Sequence, residues 1–149
     1  MRAVVQRVSE GGVNISLQNY SASIGKGMVI LVGIKTGDKE EDMNFVADKC
    51  CGLRIFEDAN EKMNLSIKDV DGEVLIISQF TLYGDPRKGN RPSFIDAARP
   101  EEAIPLYEKF ITRVKTNLGE LKVKTGIFGA MMSVKIINDG PVTIIVESK

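Results

Sequence analysis

Three short segments set polar groups against apolar runs. In Ser78-Gln79-Phe80-Thr81-Leu82, strand geometry puts Gln79 and Thr81 on one face and Ser78, Phe80 and Leu82 on the other. The stretch before it is very apolar, and a polar group buried there without a partner costs about 1–3 kcal/mol. Either a strand leaves the core with its polar groups capped, or those groups face a ligand. Asn138-Asp139-Gly140-Pro141-Val142-Thr143 has turn chemistry and reads as a hairpin loop ahead of the last strand. In Thr125-Gly126-Ile127-Phe128-Gly129-Ala130-Met131-Met132 the small residues allow close backbone approach at a bend.

The reactive groups are few. The chain has no histidine, which removes Ser-His and Cys-His nucleophilic pairs and the usual zinc ligand sets. Cys50 and Cys51 are adjacent, so they form neither a C-x-x-C redox pair nor a metal knuckle, and they read as two small apolar side chains on a helix. No metal and no cofactor are expected. Twenty basic and 20 acidic residues cancel, which argues against a general nucleic-acid coat. Local patches remain. Arg87, Lys88 and Arg91 form a basic loop just after the first segment, and Lys109, Arg113, Lys115, Lys122 and Lys124 stand against Glu120 in a second region. Phosphates need several cations at once, so two patches flanking one pocket point to RNA better than either alone.

The elements that must position these groups follow from periodicity. A chain of 149 residues fits one domain, 1–149, and can bury about two-thirds of its surface without staples. Residues 2–8 are Val-rich, and Val13, Ile15 and Leu17 alternate with polar residues, so the chain opens in strands. Residues 28–34 form a buried strand after the turn at Gly25-Lys26-Gly27. Asp38-x-x-Glu41 resembles a capping box for a first helix carrying Met43, Val46, Ala47 and Cys50. Further strands are predicted near 53–56, 64–67, 73–80, 121–125, 132–137 and 141–147. A second helix runs from Pro100 to the stop at Gly119, with the stripe Ala103, Leu106, Tyr107, Phe110, Val114 and Leu118. Pro105 either kinks it or marks its true start. Strands outnumber helices without alternating with them. The predicted class is α+β, mainly β, with a barrel-like mixed or antiparallel sheet and two helices packed outside. The longest apolar stretch is too short to span a bilayer and no signal peptide opens the chain, so a cytoplasmic protein is expected.

Taken in order, Met1-Arg-Ala-Val-Val-Gln-Arg-Val8, Leu53-Arg-Ile-Phe56, Met63-Asn-Leu-Ser66, residues 78–82, Arg91-Pro-Ser-Phe94, Thr125-Gly-Ile-Phe-Gly129 and residues 138–143 resemble the D-aminoacyl-tRNA deacylases. The resemblance runs from Met1 to the last strand. It implies hydrolysis of the ester between a D-amino acid and tRNA, with glycyl-tRNA also accepted, by a homodimer of barrel-like subunits whose two sites lie at the dimer interface. The family's two signature motifs fall on residues 78–82 and 138–143. In the family the Gly-Pro bond is cis and reaches into the partner's site as a chirality filter, which maps onto Gly140 and Pro141. The resemblance makes Thr81 a candidate nucleophile, but a threonine hydroxyl needs an activating base. The preferred expectation is oxyanion stabilisation by N–H groups near Phe80 and Thr81, with water or the neighbouring ribose 2′-hydroxyl completing the reaction. Ser78 and Gln79 then orient the terminal adenosine, while Phe80 and Phe128, with Gly129 and Ala130, wall the pocket. Arg87, Lys88 and Arg91 are the expected tRNA contacts. Two places depart from the family pattern: Met131 stands where it has an acidic residue, and residues 17–23 do not follow its short hairpin. A nucleic-acid-binding module without catalysis is the alternative, and a structural oligomerisation protein a third, which leaves Ser78, Gln79 and Thr81 unexplained.

Overall fold

The computed structural model describes residues 1–149. Eight strands and two α-helices follow one another: β1 (Arg2–Ile15), β2 (Tyr20–Ile24), β3 (Gly27–Gly33), α1 (Glu40–Gly52), β4 (Phe56–Glu57), β5 (Met63–Leu65), β6 (Glu73–Ser78), α2 (Pro100–Leu118), β7 (Val123–Thr125) and β8 (Ser133–Glu147). The main sheet has the order β2-β1-β3-β6-β7, with β8 along the other side of β1; β4 and β5 form a small ribbon. The N-terminal half of β1 pairs with β3, its C-terminal half with β2, and both halves with β8, all antiparallel. The β3–β6 and β6–β7 pairs are parallel, so the sheet is mixed. Its two ends meet where the Tyr20 hydroxyl of β2 donates to the Thr125 carbonyl of β7 at 2.7 Å. The α+β, barrel-like architecture with two packed helices is as predicted.

Period two along the strands builds a core on each face. Met28, Ile30, Val74 and Ile76 face the helices, where they meet Met43, Val46, Phe110 and Val114. Val29, Leu75 and Ile77 face the inside of the curled sheet. Strand β1 serves both cores. Ala3 and Val5 point to the helices, whereas Val8, Val13 and Ile15 point inward. One extra residue, Ser9, between the Val8–Asn138 and Glu10–Ile137 pairs shifts the parity. Strand β8 switches faces as well: Val134 and Ile136 pack inward, Val142 and Ile144 toward the helices. It does so between Asn138 and Thr143, where four residues stand opposite Arg7 alone.

Several local expectations change. The predicted hairpin at 138–143 is a wide bulge inside one continuous strand, because β1 holds β8 on both sides of it. The opening strands are likewise one, and Leu17 lies beyond it in an exposed 3-10 turn over Ser16–Gln18. Strand β6 stops at Ser78, and Phe80–Tyr83 wind into a 3-10 helix, so alternating faces do not extend through residues 79–82. Asp38 caps no helix. It accepts from the Met1 amino group at 2.7 Å and from the Lys35 amide, while Asp42 accepts from the Lys39 amide at 2.8 Å and closes the first turn of α1. Helix α2 continues through Pro105 from a start at Pro100. Buried Ala103 and Tyr107 on either side hold it across the one bond that the proline removes. Cys50 and Cys51 are buried thiols on α1, and burial pushes both up in pKa.

Candidate active site

The end of β6 and the loop after β7 open together into a cavity of about 320 Å³. Ser78, Gln79 and Phe80 line one side, and Phe128, Gly129, Ala130 and Met132 line the other, over a floor of Val32 and Ile77. No ionisable side chain reaches the cavity. Its polar groups are Ser78, Gln79 and the main chain, which offer oriented dipoles.

The geometry at the strand end follows from where the ladder runs out. The Gln79 amide makes the final bond to β3, donating to the Val32 carbonyl at 2.8 Å. The chain then turns into the 3-10 helix, held by Leu82 N–H to the Gln79 carbonyl at 3.3 Å and by Arg2 Nη1 to the Leu82 carbonyl at 2.7 Å. The leading N–H groups of such a turn have no partner within it. No turn or loop hydrogen bond uses the Phe80 or Thr81 amide as donor. Thr81 is exposed and does not line the cavity; its hydroxyl accepts a short hydrogen bond from Gln79 Nε2. Thr81 therefore braces Gln79, and no ionisable side chain hydrogen-bonds its hydroxyl. Phe80 packs edge-on against Phe94, with ring centres 5.2 Å apart. Met131 sits exposed at the mouth.

Gly140 and Pro141 do not enter this cavity; they lie exposed in the β8 bulge. Their peptide bond is cis. Gly140 has φ +126°, in a region that favours glycine, and a Cβ there would stand 3.1 Å from Arg7 Nη2. Arg7 is the residue that sequence reasoning missed. Its guanidinium is 6% exposed; Nη1 donates to the Ile55 carbonyl at 2.8 Å and Nε to the Asp139 carbonyl at 3.0 Å. The Asp139 carboxylate adds an ion pair at 3.4 Å. Arg7 thus ties the bulge to the helix-side core. The signal was in the sequence: an arginine continuing the Ala3, Val5 row of a Val-rich strand has to find buried acceptors.

The basic residues divide. Asp85 and Ser93 exchange two backbone hydrogen bonds, at 2.7 and 2.9 Å, which form the neck of the loop carrying Arg87, Lys88 and Arg91. Arg87 grips Asp85 with two nitrogens at 2.8 and 2.7 Å and holds that carboxyl down at about 2. Lys88 and Arg91 have no acidic partner and are exposed. The second basic region is largely neutralised, contrary to expectation. Lys109 pairs with Glu40, Arg113 with Asp48, Lys115 with Glu120 and Lys122 with Asp71, which leaves Lys124. The Lys109 and Arg113 pairs tie α2 to α1.

Comparison with known proteins bears on this arrangement. The family model for D-Tyr-tRNA(Tyr) deacylase matches residues 4–147. A D-aminoacyl-tRNA deacylase of Flavobacterium psychrophilum is 56% identical over 149 residues, covering 100% of this chain and 98% of its own. One of Clostridium botulinum is 56% identical over 148 residues, covering 99% and 97%. A solved structure of a c-Myc DNA Unwinding Element Binding Protein superposes with a TM-score of 0.93 at 38% identity, covering 100% of this chain and 99% of that one. The family match takes in both the strand end that lines the cavity and the bulge held by Arg7, and with that extent of identity the chain belongs to the D-Tyr-tRNA(Tyr) deacylase family.

Proposed function

We propose that the chain hydrolyses the ester joining a D-amino acid to the 3′ end of tRNA and releases both products, as chiral proofreading in translation in the cytoplasm. The observation that carries this reading is the cavity between the β6 end and the 128–130 loop, a largely apolar pocket that no ionisable side chain lines and into which Ser78 and Gln79 bring the polar side chains. An aminoacyl ester is already activated, so holding its carbonyl against oriented N–H groups does most of what is needed. The Phe80 and Thr81 amides receive the developing oxyanion, and one such donor is worth about 2.7–4 kcal/mol. Water attacks the carbonyl carbon, and the neighbouring 2′-hydroxyl relays its proton toward the leaving oxygen. The carbon–oxygen bond to the ribose then breaks, and that oxygen takes a proton. Ser78 and Gln79 orient the terminal adenosine, with Gln79 fixed by Thr81, and Phe80, Phe128, Gly129 and Ala130 wall the acyl group.

In the same reading Gly140 and Pro141 reject L-aminoacyl esters and admit glycine, including glycyl-tRNA mischarged on tRNA(Ala). They serve the cavity of a second subunit in a homodimer. Two features support the dimer. The exposed surface of one chain is 8754 Å², against about 7,500 Å² expected for a monomer of this mass. Strand β8 is also an open edge with exposed Ile137 and Ile145. Lys88 and Arg91, with Arg87 beside Asp85, contact the tRNA.

The test is deacylation of matched D- and L-aminoacyl-tRNA at catalytic enzyme concentration. Multiple turnovers of the D ester with the L ester spared are expected. The name of the 38% identical structure favours one second reading, nucleic-acid binding without catalysis. Tight binding with no turnover of either ester would establish that reading instead.

A further inference from the structure

We propose that Tyr20, on β2, and Tyr107, on α2, together act as positioning residues for the cavity. The inference rests on the deacylase reading above. Ile76 and Thr125 are direct neighbours across the parallel β6–β7 pair. They are the last matched pair before the two chains diverge into the two walls of the cavity. The carbonyls of both residues are taken by tyrosine hydroxyls. Tyr20 donates to Thr125 O at 2.7 Å from β2, and Tyr107 donates to Ile76 O at 3.2 Å from α2. The Gly126 amide donates to the same Ile76 oxygen at 3.0 Å. The Tyr107 ring lies 5.6 Å from that of Phe128, centre to centre.

The clamp works from two layers. α2 holds β6 and supports Phe128 from the helix side, and β2 holds β7 where the curled sheet closes. Each phenol is a single directional donor to a backbone acceptor, which makes phenylalanine a test that removes the bond and keeps the packing. The divergence of the walls begins at Gly126, which packs closely enough against Met132 and Ile77 that a Cβ there would meet Met132 Sδ at 2.6 Å and Ile77 Cδ1 at 3.0 Å.

Tyr20→Phe and Tyr107→Phe are each expected to lower kcat for D-aminoacyl-tRNA about tenfold with KM unchanged. The double variant is expected to lose less than the product of the two single losses, because both bonds hold one unit. Independently of activity, hydrogen exchange should quicken at least tenfold at the amides of residues 126–130 and remain at the wild-type rate along β1 and β3. Phe variants with wild-type kcat and wild-type exchange overturn the proposal. So does exchange quickened throughout the sheet, which would make the hydroxyls general stabilisers. An inactive wild type with the local exchange effect intact would overturn the deacylase reading and leave the clamp standing.

Discussion

Replacing Arg7 with lysine separates the anchor of the bulge from the charge that anchors it. The guanidinium serves two carbonyls on different segments, Ile55 at 2.8 Å and Asp139 at 3.0 Å. An ammonium is a compact point donor and does not span both. It stays with Ile55, whose carbonyl bond is buried, because deserting that oxygen strands an acceptor away from water. The lost bond is then the one to Asp139. A hydrogen bond to a charged donor contributes about 1.5–3 kcal/mol, which raises the population of a detached bulge about 10- to 150-fold. The wild-type ratio of D to L hydrolysis, measured as initial rates on matched aminoacyl-tRNAs, should fall by at least tenfold. The rate on the D ester should change little, since Arg7 is remote from the Phe80 and Thr81 amides in its own chain. The bulge is exposed, so the thermal midpoint should drop by only about 4–8 °C for 2 kcal/mol. A lysine variant that keeps the D-to-L ratio within twofold would refute this reasoning, and Gly140 and Pro141 would then need some other support.

Other outcomes follow from the same geometry. Thr81→Ala should still turn over, slowed about tenfold by a loosened Gln79, and mass spectrometry should find no acyl-enzyme; an aminoacyl adduct on Thr81 would restore it as nucleophile. Replacing Lys88 and Arg91 together by alanine should raise KM for tRNA and flatten its salt dependence, whereas Arg87→Ala alone, whose charge is spent on Asp85, should change the salt slope little; steady-state kinetics over a salt series decides between them. Arg113 and then Asn117 hold the Asp48 carboxyl down from 3.8 to about 2. Because the folded value is the lower, the stability from this pair is present above about pH 4 and is lost as pH falls through about 2. Asp48→Asn should therefore flatten the acid limb of the stability curve in that window, as followed by urea midpoints; an unchanged limb would mean that the α1–α2 ion pair contributes nothing.

Those predictions depend on details of unequal visibility in the sequence. The continuous apolar runs at 28–32 and 74–77 were legible because each buries both faces between two cores, and apolar side chains at every position leave no other reading. The cavity-lining segments were legible too, since Ser78 and Gln79 break such a run and Phe128, Gly129 and Ala130 break helical and strand periods alike. The long reach of β1 and β8 was not. Local turn chemistry at Asn138-Asp139-Gly140-Pro141 is strong, and only the pairing of β8 with a strand 117 residues earlier turns it into a bulge. Charge was misread for a similar reason. Lys109 and Arg113 look like a free basic face on one helix, and their acids, Glu40 and Asp48, lie on another. Asp38 and Asp42 are equally good helix caps by type, and the choice between them was made by the Met1 amino group, a tertiary contact.

The pairing of β1 with β8 also sets a timetable. Strand β1 leaves the ribosome well before β8, with 117 residues between Ile15 and Ser133. At about 5–20 residues per second, that interval lasts on the order of 10 s. Throughout it, one edge of β1 carries a row of unpaired N–H and C=O groups beside Val4, Val5 and Val8, a template for any other extended chain. The bulge with Gly140 and Pro141 takes shape only when the final strand arrives. The proposed chirality filter thus forms only after β1 to β7 have been made, and chains that stall before residue 133 are expected to be the aggregation-prone fraction at high expression.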